Sequence, residues 1–179
     1  MQRHMTIRSA GFASAVPFVA GVIGGLFGGW LTDWLMALGL SPINSRRYPM
    51  TLSLLGMAAC TVAAALVESN ALAVALISAA MFLGYVASSA AWAMASVAAP
   101  ANTTASLGAM QNFGGYLGGA LAPTVTGFIV QARGSFIPAL MTAAGIGVVC
   151  ALLYFAIIRR PITAADIAGD GPTKNRQAP

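Results

Sequence analysis

The sequence predicts an all-α membrane protein with five transmembrane helices, and three observations carry that prediction. Of its 179 residues 58% are apolar and 7% charged, with a mean hydropathy of +0.80, which leaves too little polar surface to coat a soluble globule of this length. The apolar stretches have the length of membrane-crossing helices and show no alternating polar face. In lipid every backbone N–H and C=O must be paired internally, so a chain without barrel-like alternation has helices as its solution. Each stretch is also bounded by charged or turn-forming residues.

Read in order, the spans fall at 12–36, 49–67, 71–98, 105–132 and 135–158. The first holds Gly21, Gly25 and Gly29 at every fourth position, with Gly24 and Gly28 beside them, and carries Pro17 in its interior. Small residues at i and i+4 let two backbones approach closely, which lipid-embedded helices need because no hydrophobic force drives them together. Gly39-Leu40-Ser41-Pro42 and Arg46-Arg47 separate it from the second span, and Glu68-Ser69-Asn70 separates the second from the third. Pro100-Ala101-Asn102 ends the third. The fourth repeats the glycine spacing as Gly114-Gly118 and Gly115-Gly119 and carries Pro123; Arg133-Gly134 leads to the fifth. The first and fourth spans are therefore expected to be tightly packed helices, and their prolines to kink them or free a carbonyl.

An odd number of spans puts the chain ends on opposite sides. Alternation gathers Arg46, Arg47, Arg159, Arg160, Lys174 and Arg176 on one side and Arg3, Arg8 and Arg133 on the other. That bias makes the first side cytoplasmic. Residues 161–179 are polar, hold Pro and Gly and lack apolar periodicity, and read as a disordered cytoplasmic tail.

Several classes of function are excluded. The net charge of +5 is scattered over span ends, with no basic groove or basic-aromatic interleaving for nucleic acid. Cys60 and Cys150 lie in apolar stretches, far from the single His4, and read as small core residues rather than a disulfide or metal site. Arg3 and Arg8 precede an apolar run too long for a signal peptide. No Ser-His-Asp set, metal cluster or phosphate loop is present, so the chain does not read as an enzyme and implies no cofactor.

The stretch Gly28-Gly29-Trp30-Leu31-Thr32-Asp33, followed by Arg46-Arg47, resembles the G-x-L-x-D-…-R-[RK] loop of the major facilitator superfamily of transporters. Within it the chain is similar to the anion:cation symporter family, in particular its bacterial members that import galactonate, glucarate or hexuronates with protons. Residues 10–33, the loop 39–50, Ser88-Ser89-Ala90-Ala91-Trp92, and Gln111-Asn112-Phe113 with Gly115, Gly118-Gly119 and Pro123 carry the likeness. The resemblance implies helices eight to twelve of a twelve-helix fold, most of its C-terminal half, with residues 1–9 as the end of the preceding helix and its loop. It implies as partners membrane lipid, a small organic anion and a missing N-terminal half, in the bacterial inner membrane. Family members often carry Asn where Tyr116 stands and a charge where Ala101 stands.

By the same resemblance Ser89, Trp92 and Asn112 line the substrate site, while Gly29, Asp33, Arg46 and Arg47 form a gating loop. The residues admit blander roles too. Asp33 sits at a span end, where a carboxylate can face a neighbouring helix N-terminus or simply be solvated. An amide inside an apolar span, as at Asn112, either holds a ligand or cross-links helices, with Gln111 beside it as support. Trp92 either presents its indole N–H to a cavity one turn from Ser89 or packs in the bundle. No titratable carboxylate lies deep in any span: Asp33 and Glu68 are at edges, Asp166 and Asp170 in the tail. Proton coupling needs one, so the resemblance places it in the missing half. The reading is a C-terminal part of a proton-coupled organic-anion importer, inactive alone; the rival is a small membrane scaffold that binds a partner through its glycine faces, particularly Gly21, Gly25, Gly115 and Gly119.

Overall fold

The computed structural model describes the backbone of residues 7–163 and Asp166, and side chains from Ala15 onward within that range. Five helices follow one another: α1 (Ile7–Ala37), α2 (Asn44–Leu66), α3 (Asn70–Ala98), α4 (Thr104–Arg133) and α5 (Ile137–Ile157). All five are long and apolar enough to cross a membrane.

Local chemistry sets their ends. Gly39, at φ +94°, closes α1, while its N–H bonds the Met36 carbonyl and the Leu40 N–H the Leu35 carbonyl. This left-handed glycine cap satisfies the orphan carbonyls of the last turn, and a side chain there would be strained. Ser69 caps α3 by accepting the Leu72 N–H at 3.4 Å. Gly134, at φ +64°, closes α4, and Pro138 stands in the first turn of α5, where its missing N–H costs nothing.

Two helix starts differ from the sequence reading by more than two residues, and the start of the tail differs too. α1 already runs from Ile7, so residues 7–9 belong to it rather than to a preceding loop, and residues 1–6 lie outside the described residues. α2 starts at Asn44, five residues before the expected 49, because Ser41 supplies the first turn's partners and Pro49 is carried inside the helix. The reading of 161–179 as a disordered tail fails at its start. The Ile162 N–H bonds the Ala98 carbonyl at 2.8 Å, and Ile158 packs on the buried cluster of Ile43, Met94 and Ala98. That cluster joins the α1–α2 loop to the end of α3. The rest of the tail, Asp166 aside, lies outside the described residues.

Packing is uneven. α1 lies along α3, α3 along α2, and α2 along α5, whereas α4 only grazes α3 and α5. Buried residues such as Met50, Val86, Ala87, Ala90 and Ala151 come from the first group, and α4 contributes none. Cys60 is half-buried and Cys150 exposed, so Cys150 is on the outer surface of α5 and not the core residue the sequence indicated.

The loops sort into two ends. Arg47 reaches Phe155 of α5 and Ile162 reaches Ala98, which gathers Arg46, Arg47, Arg159 and Arg160 at one end. Glu68, Asn70, Gly134 and Phe136 share a cleft at the other.

Candidate functional site

The seam between α1 and α3 positions the first group of candidate residues. A Cβ added at Gly24 would overlap the Phe82 carbonyl oxygen, and one added at Gly28 would come within 2.8 Å of the Val86 Cα. Only glycine lets these backbones touch. At Gly21 the obstacle would be the Tyr85 ring at 2.9 Å, a side chain that can turn. Across this seam Ser89 donates its hydroxyl to the Gly25 carbonyl at 2.8 Å. Ser89 is therefore committed to holding two helices together, and its proton is not available to a solute.

Trp92, one turn further on, is 52% exposed. It belongs to a stripe along α3 formed by Tyr85, Ser88, Trp92 and Ser96, all exposed and spaced three or four residues apart; the Tyr85 ring leans on Gly21 at the edge of the α1 seam, and Ser96 donates its hydroxyl to the Ala93 carbonyl at 2.8 Å. Tyr85 and Ser88 were not singled out from the sequence; their helical spacing from Trp92 is the signal that finds them. Asn112, on α4, is half-buried, as is Gln111. Trp92 and Asn112 stand on helices that touch only sparsely, so the structure does not bring them together into a closed pocket. The clefts along α4 lie elsewhere: one of about 720 Å³ is lined by Gly119, Pro123, Gly127 and Phe136.

The α4 glycines depart from expectation. Nothing stands within 4 Å of a Cβ built at Gly114, Gly115, Gly118 or Gly119. The expected tight packing of this helix is absent among the described residues because neither α3 nor α5 reaches its glycine face. Gly29, in the loop motif, is likewise open, while Gly25 has only ordinary contacts with Ser89 and Tyr85.

The loop after α1 gives its two arginines different tasks. Arg46 is buried; its Nη1 donates to the Pro42 carbonyl and the Ser45 hydroxyl, both at 3.0 Å, and rests on the Met36 sulfur at 3.7 Å. Its Nη2 is 4.0 Å from Asp33, whose carboxylate is 74% exposed. An ion pair this long to a solvated acid is worth about 0–1 kcal/mol, so Arg46 is chiefly a strut for the loop. Arg47 leaves the loop instead. Its guanidinium lies 4.0 Å from the centre of the Phe155 ring, a cation–π contact that ties α2 to α5. Thr32 in the motif is buried and donates its hydroxyl to the Gly29 carbonyl at 2.8 Å.

Five apolar helices, each long enough to cross a bilayer, with close glycine-mediated packing and an arginine-strutted loop between two helix ends, are the features of a multi-spanning α-helical membrane protein. Residues 1–177 match the Major Facilitator Superfamily profile, and the chain belongs to that family. Among its relatives, the probable L-galactonate transporter of Escherichia coli K12 is 35% identical over 159 residues, which cover 89% of this chain and 35% of that protein. The D-galactonate transporter of Escherichia coli O6:H1 is 32% identical over 88% of this chain and 36% of its own length. The hexuronate transporter of Bacillus subtilis is 27% identical over 88% and 38% respectively. The chain thus spans about a third of the length of the curated relatives it matches.

Proposed function

We propose that the chain is the C-terminal portion of a secondary active, proton-coupled importer of organic anions such as sugar acids, held in the bacterial inner membrane with its C-terminus in the cytoplasm. The observation that carries this is the polar and aromatic stripe Tyr85, Ser88, Trp92 and Ser96 exposed on α3, in a chain similar over 89% of its length to a protein named for L-galactonate. Polar groups inside a membrane bundle are costly unless they face a cavity or one another. The Tyr85 and Ser88 hydroxyls and the Trp92 indole N–H can donate hydrogen bonds to the oxygens of a sugar acid, Ser96 having given its proton to the Ala93 carbonyl, and the Asn112 amide both donates and accepts. Ser89 serves this face indirectly, by fixing α3 against α1.

The described spans hold no deep carboxylate, so proton uptake and the countercharge for a substrate anion belong to other polypeptide. Alternating access in this architecture is the rocking of one half against another about a central site. A single incomplete half has nothing to rock against. Of the loop residues, Gly29, Asp33 and Arg46 would then act at the moving boundary, with the exposed Asp33 carboxylate exchanging its weak contact with Arg46 for one across it, while Arg47 anchors the loop to α5 through Phe155.

The test is uptake of labelled D-galactonate into proteoliposomes. This chain alone should show none, whereas joined to the N-terminal portion of the Escherichia coli D-galactonate transporter it should restore uptake, reduced at least about tenfold by Asn112→Leu or Trp92→Ala, the loss expected for about 1.4 kcal/mol of binding. Uptake by the chain alone would refute the inactivity, and a chimera indifferent to both substitutions would refute the cavity. The open glycine face of α4 favours one other reading, a membrane scaffold with no solute path. That reading predicts partner binding unchanged by Asn112→Leu.

A further inference from the structure

The four arginines at one end of the bundle are not equivalent. Among the described residues Arg46 faces Asp33 at 4.0 Å and Arg160 pairs with Asp166 at 3.3 Å, which leaves Arg47 and Arg159 without a carboxylate. Both guanidiniums lie against the last turn of α5: Arg47 over the Phe155 ring, and Arg159 with its Nε donating to the Ala156 carbonyl at 2.8 Å. Tyr48 completes the group, its ring 6.3 Å from that of Phe155 across the α2–α5 groove. Tyr48 and Phe155 are both exposed, as are Leu52 and Leu152, one turn deeper on α2 and α5.

We infer that this corner is a binding site for the headgroup of an anionic phospholipid. The chemistry recognised is a phosphate ester. Stacking on Phe155, a long 3.5 Å bond from Arg47 Nη1 to the Asn44 Oδ1 and the Arg159 bond to Ala156 hold the two side chains in place while leaving Arg47 Nη2 and both Arg159 Nη groups to donate, so the fork geometry suited to phosphate is preorganised at small entropic cost. The exposed apolar path below is what distinguishes a lipid from a soluble phosphate as the occupant. Charge complementarity points the same way: two unpaired cations sit at the level where an aromatic pair marks the boundary of the apolar surface. A bound lipid would bridge α2 and α5 on the outer side of the bundle. The inference does not depend on whether the protein transports.

The experiment is native mass spectrometry of the full 179-residue chain in detergent, titrated with phosphatidylglycerol or with phosphatidylcholine of the same acyl chains. Phosphatidylglycerol should be retained about fivefold better for each engaged arginine. Arg159→Gln, an exposed change that gives up only the Nε bond to the Ala156 carbonyl, should remove about one such factor, and Arg133→Gln at the other end should remove none. Equal retention of the two lipids, or an equal loss in both variants, would overturn the site. So would complete displacement of the lipid by millimolar inorganic phosphate, which would assign the corner to a soluble anion.

Discussion

α1 and α4 carry the same sequence device and put it to opposite use. Both repeat glycine at every fourth position, and in α1 that face is filled by α3, down to backbone against backbone at Gly24 and Gly28. In α4 the same spacing meets no neighbour at all. Small residues spaced four apart thus record a capacity for close approach; they do not say with what. The partner is set by which helix faces the stripe, and that is a property of the whole bundle.

The largest expected effect tests the filled face. Gly24→Ala would place a methyl group in the Phe82 carbonyl, a backbone obstacle that cannot rotate away. The two helices must separate, at a cost of about 1–3 kcal/mol, read as a lower midpoint of unfolding in mixed dodecylsulfate micelles. Gly21→Ala should cost less, since Tyr85 can turn. If the two substitutions were equal, the seam would not be held by backbone contact at Gly24.

Next in size is Ser89→Ala. It removes the hydroxyl that donates to the Gly25 carbonyl across the same seam, and interhelical hydrogen bonds of this kind average about 0.6 kcal/mol. The same unfolding assay should show a small destabilisation. A larger loss in solute uptake by the chimera than in stability would instead return Ser89 to the cavity.

How much of this was legible before the structure differs by level. The spans follow from hydropathy and breakers because burial of backbone in lipid leaves few choices, and Gly39 and Gly134 announce two helix ends by themselves. The start of α2 was hidden because Pro49 looks like a first-turn proline, yet Ser41 and Ile43 begin the helix earlier. Arg46 and Arg47 are indistinguishable in sequence; one turns inward to the loop and the other outward to Phe155, a difference only the placement of α5 creates. Ser89 and Ser88 pose the same problem one residue apart. Their offset of about 100° around α3 gives one to the seam and the other to the open face.

The packed region is also fastened at its end, where the Ile162 N–H bonds the carbonyl of Ala98, the last residue of α3. The strap holds its shape through Asp166, whose carboxylate accepts the Thr163 N–H and hydroxyl, each at 2.8 Å. Those bonds, with Arg160 nearby, hold the Asp166 carboxyl below its ordinary value. A depressed carboxyl pKa means the contribution is present above the unfolded value of about 3.9 and is lost as pH falls through the lower folded value. Amide exchange at Thr163 should therefore be flat from neutral pH down to the carboxylate range, once corrected for intrinsic rates, and lose protection only in stronger acid. Asp166→Asn should loosen it at every pH. Protection lost already near pH 6 would mean that another group holds the strap.

The smallest effect is the one that separates the two glycine faces. Gly118→Ala adds a methyl group where nothing lies within 4 Å, and alanine is favoured over glycine in a helix interior by up to about 1 kcal/mol. In this chain the substitution should leave the unfolding midpoint unchanged or slightly raised, the opposite sign from Gly24→Ala. In the chimera with an N-terminal portion the same methyl group would meet whatever helix covers α4, and uptake should fall although the isolated chain is no less stable. A destabilisation already visible in the isolated chain would mean that α4 has a close neighbour within these residues, and the contrast between the two helices would disappear.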